Sequence, residues 1–137
     1  MRQNSFQFLG YKIFKSTLIN SKNNLEDSEL GVDFLPKGEI DKVNSTFTLF
    51  LQIIIKNEDN SISIDIESNA LFKFESSISE IDKNTFFYIN AIPILFPYIR
   101  SYIGTLTMLS GFDSAVLLPT MNLTTLGEEL KKSTIEV

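Results

Sequence analysis

The 137-residue chain contains no histidine, no cysteine and no tryptophan. Without histidine, the usual general base near neutral pH is missing, and so are the Ser-His-Asp and Cys-His arrangements of nucleophilic catalysis. The lack of both cysteine and histidine excludes a disulfide framework and a structural zinc site. The six glycines form no P-loop, no GxSxG turn and no dinucleotide-binding pattern. These absences predict a protein that is not an enzyme and that needs no cofactor or metal.

Long apolar runs and an excess of positive charge are missing as well. Twelve Lys and Arg residues stand against seventeen Asp and Glu, a net charge of −5, and an acidic surface repels a nucleic-acid backbone. No run approaches the roughly 20 apolar residues of a membrane-spanning helix, and the first residues do not resemble a signal peptide. We expect one cytoplasmic, soluble domain over residues 1–137 that neither binds nucleic acid nor inserts into a membrane.

The first half of the chain carries the alternation that is typical of strands. Residues 5–18 alternate, but their apolar side switches at Gly10, which predicts a β-bulge there. Residues 47–56 and 62–74 alternate over almost their whole length and predict a long antiparallel hairpin. The polar, turn-rich residues 21–42 predict a crossover, with a possible short strand at 31–35.

The second half of the chain has the spacing of helices. Apolar residues recur every three or four positions from residue 85 to 110, and Gly111 is well placed to end this helix. Two prolines inside the pattern predict a break near Ile92 and a kink or fresh start near Phe96.

Residues 123–132 predict a short last helix, with Asn122 as its N-cap. The order of strands first and helices last favours an α+β fold with the helices on one face of an antiparallel sheet. Asp65 and Glu67 lie on one side of the hairpin, about 6–7 Å apart by strand geometry. No aromatic platform accompanies them, so hydrolysis of a glycoside is not favoured.

Several segments resemble the SecB family of bacterial protein-export chaperones. Residues 95–100, LFPYIR, are similar to the LFPYAR segment that opens the main helix of that family. Residues 111–112, GF, match its G-[TS]-F motif, shortened by one residue. Residues 117–123, LLPTMNL, resemble its L-x-P-V-N-F stretch. Residues 5–8, SFQF, resemble the FQIQ of its first strand, and the hairpin at 47–74 falls where the family has its two long central strands.

The resemblance implies a four-stranded antiparallel sheet with a long kinked helix and a short C-terminal helix packed on one face. In the SecB family, subunits dimerise edge to edge, and dimers pair through helices into a homotetramer. The family binds unfolded, export-bound polypeptides in apolar grooves without nucleotide and hands them to the SecA motor for translocation. Some members instead protect antitoxins. The resemblance therefore implies a holdase chaperone whose partners are newly made polypeptides and either a SecA-type motor or an antitoxin.

The chain departs from the family where the family contacts SecA. The first-strand positions that hold acidic residues in the family correspond here to Lys15 and Ile19. Asp65 aligns with another acidic contact, so Asp65 and Glu67 are the translocase-contact candidates.

Apolar residues in the crossover and on the wetter side of the first hairpin strand are the client-binding candidates, although partial burial under the crossover explains them equally well: Phe34, Leu35, Phe50 and Ile54. Residues off the main apolar stripe of the long helix are the oligomer-contact candidates: Tyr98, Gly104, Thr105 and Met108. Two alternatives stay open. One is an adaptor that binds a single folded partner, and the other is a small-ligand site in which Asp65, Glu67 or Lys73 converge.

Overall fold

The computed structural model describes four stretches of the chain: residues 6–21, 29–112, 115–118 and 123–137. The strongest alternation in the sequence forms the centre of the sheet, where β3 (Thr46–Lys56) pairs with β4 (Ile62–Phe74) in the predicted hairpin. The strands β1 (Phe6–Asn20) and β2 (Gly31–Asp41) flank this hairpin as antiparallel neighbours of β4 and β3, respectively. The fold is α+β, as predicted.

The sheet has five strands, so the expectation of four antiparallel strands is wrong in one respect. A short last strand, β5 (Thr134–Glu136), runs parallel to β2 and pairs with residues 38–40 of that strand. The short strand considered at 31–35 is present, but it continues to Asp41 because all eleven residues of β2 pair with β3, so the expected crossover is wrong over residues 36–41. Pro36 and Gly38 hide this strand in the sequence, and Pro36 is tolerated because β2 lies near the edge of the sheet.

Two β-bulges shape β1. The register against β4 shifts between Phe8 and Gly10 and again between Ile13 and Lys15. Gly10 has φ +136°, which favours glycine, so the predicted bulge at Gly10 is confirmed. The second bulge, which the sequence did not reveal, inserts Phe14 as an extra residue and shifts the alternation of side chains a second time.

The long helical region starts earlier than expected from Thr85. It consists of α1 (Glu80–Lys83), a π-helical segment (Asn84–Asn90) and α2 (Ala91–Leu109). The hydroxyl of Ser79 caps its start by accepting a hydrogen bond from the third residue of the helical region. Within the described residues, no helix has both the length and the apolar character that crossing a bilayer requires.

The prolines do not break the helix where the sequence predicted. Pro97 lies inside α2, which continues through it without the fresh start expected near Phe96. The irregularity lies upstream of Ile92, because the π segment immediately precedes the turn that contains Pro93. Proline has no N–H to donate, and a π turn is one way in which a helix accommodates such a loss.

Gly111 ends α2, as predicted. Its φ is +87°, and the N–H of Phe112 donates to the carbonyl of Thr107 at 3.4 Å, the pattern of a Schellman cap. The last helix, α3 (Thr124–Lys132), matches the predicted short helix. The proposed N-cap Asn122 lies outside the described residues.

Close contacts fix α3 and β5 on the sheet. A Cβ at Gly127 would collide with the carbonyl oxygen of Tyr88 in the π segment, and one at Gly38 would lie 2.5 Å from Oγ1 of Thr134. Burial raises the pKa of Tyr88, against the opposing effect of its hydrogen bond with Thr134. The last helix and strand are therefore closely packed on β2 and the long helix.

The core lies between one face of the sheet and the long helix. The inward side chains of β3 are almost completely buried: Phe47, Leu49, Leu51, Ile53 and Ile55. Those of the helical region that share this core are Phe87, Ala91, Ile92, Leu95, Phe96, Ile99 and Ile103. The opposite face of the sheet, which we call the open face, carries the other half of each strand.

Candidate functional site

The open face carries apolar side chains that the core does not use. Along β3 it presents Phe50 and Ile54, which are half-buried, whereas the inward residues of the same strand are almost fully buried. The second bulge of β1 adds Phe14 to this face, and β2 adds Leu35. Each of these last two side chains is 49% exposed, which is typical of a contact surface rather than of a core.

Phe14, Leu35 and Phe50 line one groove of about 590 Å³, which we call the transverse groove. It runs across the strands, from β1 over β4 and β3 to β2 and the junction of α3 with β5. Its other lining residues are Pro36, Lys37, Glu39, Leu51, Gln52, Glu67, Ser68 and Ser133. The groove is thus an open, largely apolar furrow with polar residues between and around its aromatic walls.

The two acidic candidates on β4 lie on the open face, and each has a partner. The Glu67 carboxylate lies 3.3 Å from the Lys15 ammonium, and Asp65 accepts a hydrogen bond of 3.0 Å from Nε2 of Gln52. Lys73 lies eight residues beyond Asp65 on the same strand, about 26 Å away by strand geometry. These three residues therefore do not converge, and the alternative of a small-ligand site built from them finds no support.

Two of the four client-binding candidates meet in the groove. Leu35 and Phe50 line it, and Ile54 lies on the same face but outside the lining. Phe34 points to the other face, where its ring centroid is 6.1 Å from that of Phe96. Sequence reasoning missed Phe14. The one signal in the sequence is its even position directly after two apolar residues at odd positions, Tyr11 and Ile13.

Of the four oligomer-contact candidates, three are exposed and one is buried. Tyr98, Thr105 and Met108 are exposed on α2, whereas Gly104 is buried. A Cβ at Gly104 would lie 3.2 Å from Cδ2 of Leu117, so a segment of the same chain covers this glycine.

The outward side of α2 carries no charged side chain. The exposed residues are Pro93, Pro97, Tyr98, Ser101, Thr105, Met108 and Leu109. Arg100, the one charged residue of α2, is half-buried, and its Nε donates to the carbonyl of Leu118 at 2.7 Å. An uncharged outward face on a 19-residue helix is typical of a protein–protein contact.

A larger depression, of about 1150 Å³, lies at the end of the sheet between β2 and the β3–β4 turn. Its lining includes Glu29, Asp33, Glu58 and Asp59, with Lys56 as the one cation. Within the described residues, no group of three or more Asp or Glu side chains has an arrangement that could hold a metal ion.

Comparison with known proteins identifies the fold. The chain matches no protein-family model, and no curated relative matches it. In structure it is similar to a SecB-like chaperone of Mycobacterium tuberculosis in complex with a ChAD peptide from the HigA1 antitoxin. The TM-score is 0.71 at 17% sequence identity, over 86% of this chain and 88% of that chain. The fold is therefore SecB-like, as the sequence motifs predicted.

A second structure, a protein of unknown function from Streptococcus agalactiae, aligns over 84% of this chain and 97% of that chain. Its TM-score is 0.41 and its sequence identity 9%, too low a similarity to support any inference.

Proposed function

We propose that this protein is a nucleotide-independent chaperone that holds unfolded polypeptide segments on the open face of its sheet, in the transverse groove. The observation that carries the proposal is the half-exposed Phe14 and Leu35 beside Phe50, on the face opposite the core. The SecB-like fold supports it, and the similar mycobacterial chaperone holds an antitoxin-derived peptide. The missing histidine and cysteine favour a protein that acts by contact and not by catalysis.

Holding a polypeptide in this way needs only reversible burial of apolar surface. Each Å² removed from water contributes about 25 cal/mol, so one side chain in the groove gives weak binding. Several grooves in one assembly would bind one long chain with much higher avidity. Release then follows dilution or transfer to a partner, and no covalent step is required.

We propose a homotetramer as the working assembly. The uncharged outward side of α2 offers one contact between copies. The edges of the sheet offer another: β5 already pairs with part of the β2 edge, which leaves β1 as the edge with the longer free stretch among the described strands. Edge-to-edge pairing through β1 and helix pairing through α2 would use different surfaces and leave the open face accessible.

A dedicated client in the cytoplasm, such as an antitoxin, is favoured over a SecA-type motor. The positions that correspond to the family's first-strand acids hold Lys15 and Ile19. The remaining acids, Asp65 and Glu67, already have partners on the same face. An adaptor for one folded partner is the second candidate, because the half-buried Phe50 and Ile54 would equally suit a flat, permanent interface.

Light scattering from a slowly refolding client tests the proposal. The wild-type protein should suppress aggregation at equimolar concentration, and Phe50→Ala should lose most of this effect while Val43→Ala, at a fully solvated turn residue, keeps it. The adaptor alternative predicts no suppression by either protein, and that result would overturn the chaperone proposal.

A further inference from the structure

We propose that one part of the β2 edge binds an extended, cationic polypeptide segment by β-strand addition. This inference rests on the proposed chaperone function and adds a second contact for the client, away from the transverse groove. β5 pairs only with residues 38–40 of β2. Residues 31–35 of β2, which we call the free edge, pair with β3 on one side and with no other strand of the described residues on the opposite side.

Two hydrogen bonds show which backbone groups of β2 point away from β3. The Oγ of Ser133 donates to the carbonyl of Pro36 at 2.8 Å, and the N–H of Val137 donates to the carbonyl of Ile40 at 2.8 Å. Along an antiparallel strand, successive residues direct their backbone groups alternately to its two sides. The even-numbered residues of β2 therefore direct their N–H and C=O groups away from β3.

In the free edge, the outward residues are Val32 and Phe34. Among the described residues, no hydrogen bond satisfies their outward N–H and C=O groups. Pro36, the next outward residue, has no N–H to donate, and its carbonyl already accepts from Ser133. The free edge is thus a short template with two donors and two acceptors, the arrangement that an added strand pairs with.

The side chains of the free edge differ between the two faces of the sheet. Val32 and Phe34 lie on the helix-covered face, partly buried against the core. Asp33 lies on the open face, opposite Ile54 of β3, and is exposed. An added strand would therefore place apolar residues beside Val32 and Phe34 and polar residues beside Asp33, at alternate positions.

The charge around the free edge selects the polar residues of the added strand. Residues 31–33 form one wall of the depression of about 1150 Å³, and the β3–β4 turn forms the other. Its lining holds four acidic side chains and one cationic one: Glu29, Asp33, Glu58 and Asp59 against Lys56. Among the described residues, no ion pair involves Glu29, Asp33 or Glu58. Lys or Arg residues on an added strand would complement this charge, and Asp or Glu residues would be repelled.

The same charge argues against a second copy of this chain as the occupant. Two free edges that paired about a two-fold axis would bring two sets of acids together, and like charges on neighbouring strands oppose such pairing. The chain as a whole carries a net charge of −5. The occupant that fits is a segment of another polypeptide, with apolar and cationic residues in alternation.

Hydrogen exchange measured by NMR on the full chain tests the strand addition directly. The probe is a nine-residue peptide that alternates Val and Lys. The amides of Val32 and Phe34 should exchange about tenfold more slowly when this peptide is bound, because each then donates to the added strand. The amide of Asp33, which points to β3, is the internal control and should change little.

A matched pair of variants tests the same backbone contact by affinity. Val32→Pro removes one outward donor, and the native Pro36 shows that β2 accepts proline at an outward position. Val32→Ala loses a similar amount of side-chain packing and keeps the N–H. In fluorescence anisotropy, Val32→Pro should bind the peptide about fivefold more weakly than Val32→Ala. The exchange experiment on the wild-type protein decides the question if Val32→Pro does not fold.

Three peptides test the preference for cations. They alternate Val with Lys, Ser or Asp, and the expected order of affinity is Lys, then Ser, then Asp. Exposed ion pairs each add a small attraction, so the Lys peptide should bind about fivefold tighter than the Ser peptide, and less so in 0.5 M NaCl. The variant D33N/E58Q should remove most of this preference. The control E75Q/E80Q makes the same change of charge beyond the other end of β4 and should keep it.

The outcomes distinguish the inference from the proposed function on which it rests. A bound peptide that leaves the exchange of Val32 and Phe34 unchanged would overturn the strand addition and leave the chaperone proposal standing. Equal loss of the preference in the two double variants would assign it to net charge and overturn the cationic specificity. No binding of any peptide, together with no suppression of client aggregation, would overturn both proposals.

Discussion

Two phenylalanines on β3, three residues apart, have opposite surroundings. Phe47 points to the helices and is 0% exposed, and its ring stacks on Phe87 with centroids 4.4 Å apart and planes at 2°. Phe50 points to the open face and lies in the transverse groove. The same side chain on the same strand thus belongs to the core in one case and to a contact surface in the other.

The core does not need the apolar residues of the open face. The inward face of the sheet is covered by a continuous cluster of buried residues, which stabilises the fold by removing apolar surface from water. The apolar residues of the transverse groove give the fold little of this stabilisation, because they remain partly exposed. Their partial exposure instead favours contact with another polypeptide.

The largest expected effect is the loss of stability when the buried phenylalanine is removed. Phe47→Ala should lower the free energy of unfolding by about 3–5 kcal/mol, because it leaves a cavity beneath the π segment. Phe50→Ala should lower it by about 1 kcal/mol. Urea unfolding followed by circular dichroism measures both, and similar losses in the two variants would show that the faces do not differ as described.

The two glycines of β2 lie on different sides of the sheet: Gly38 is buried on the helix-covered side and Gly31 is exposed on the other. A Cβ at Gly38 would lie 2.5 Å from Oγ1 of Thr134 and 2.9 Å from Cε1 of Phe47, so Gly38→Ala should cost about 1–3 kcal/mol by overpacking. At Gly31 the nearest atom is 3.8 Å away, so Gly31→Ala is a matched control with little expected change. Thermal unfolding of both variants gives the difference, and equal melting temperatures would contradict the close packing of β5.

Phe14→Ser tests the open face directly, because its effect should be on binding and not on stability. We expect about a tenfold loss of affinity for an apolar peptide, equivalent to about 1.4 kcal/mol. The change in unfolding free energy should stay within about 0.5 kcal/mol. Ile19→Ser is the control, since Ile19 is equally exposed on β1 (51%) and lies outside the groove. Equal losses of affinity in both variants would contradict a defined groove.

The smallest expected effect comes from the ion pair between Lys15 and Glu67, of which Glu67 lines the groove. Lys15 and Glu67 are both partly exposed, so a double-mutant cycle with alanine should give a coupling energy of about 0.2–1 kcal/mol. The coupling should fall as salt is added. A coupling that salt leaves unchanged would indicate that the pair is far less solvated than the open face implies.

The sequence predicted those features that depend on local patterns. The β3–β4 hairpin follows from strict alternation, the bulge at Gly10 from a change of parity, and the end of α2 from Gly111. The SecB-like fold followed from the LFPYIR motif at residues 95–100, although overall identity to the similar structure is only 17%.

The features it missed depend on pairing or packing between distant segments. Beyond residue 35, β2 contains Pro36 and Gly38 and lacks a strand pattern, yet the adjacent β3 provides a partner for all of it. β5 has three residues and forms because Thr134 fits against Gly38.

Phe14 could not be assigned to a face from the sequence, because the second bulge is defined only by the register against β4. Phe34 and Leu35 could likewise not be assigned to opposite faces of the sheet from the sequence, because their orientation depends on how β2 pairs with β3.

Site-specific photo-crosslinking tests most directly whether clients bind the open face. A benzophenone amino acid is placed in turn at positions 14 and 35, and at position 108 on the exposed side of α2, and each protein is irradiated with an unfolded client. We expect crosslinks from positions 14 and 35 and none from position 108. Crosslinks from position 108 alone would mean that α2 carries the client, and would contradict the assignment of the open face as the binding surface.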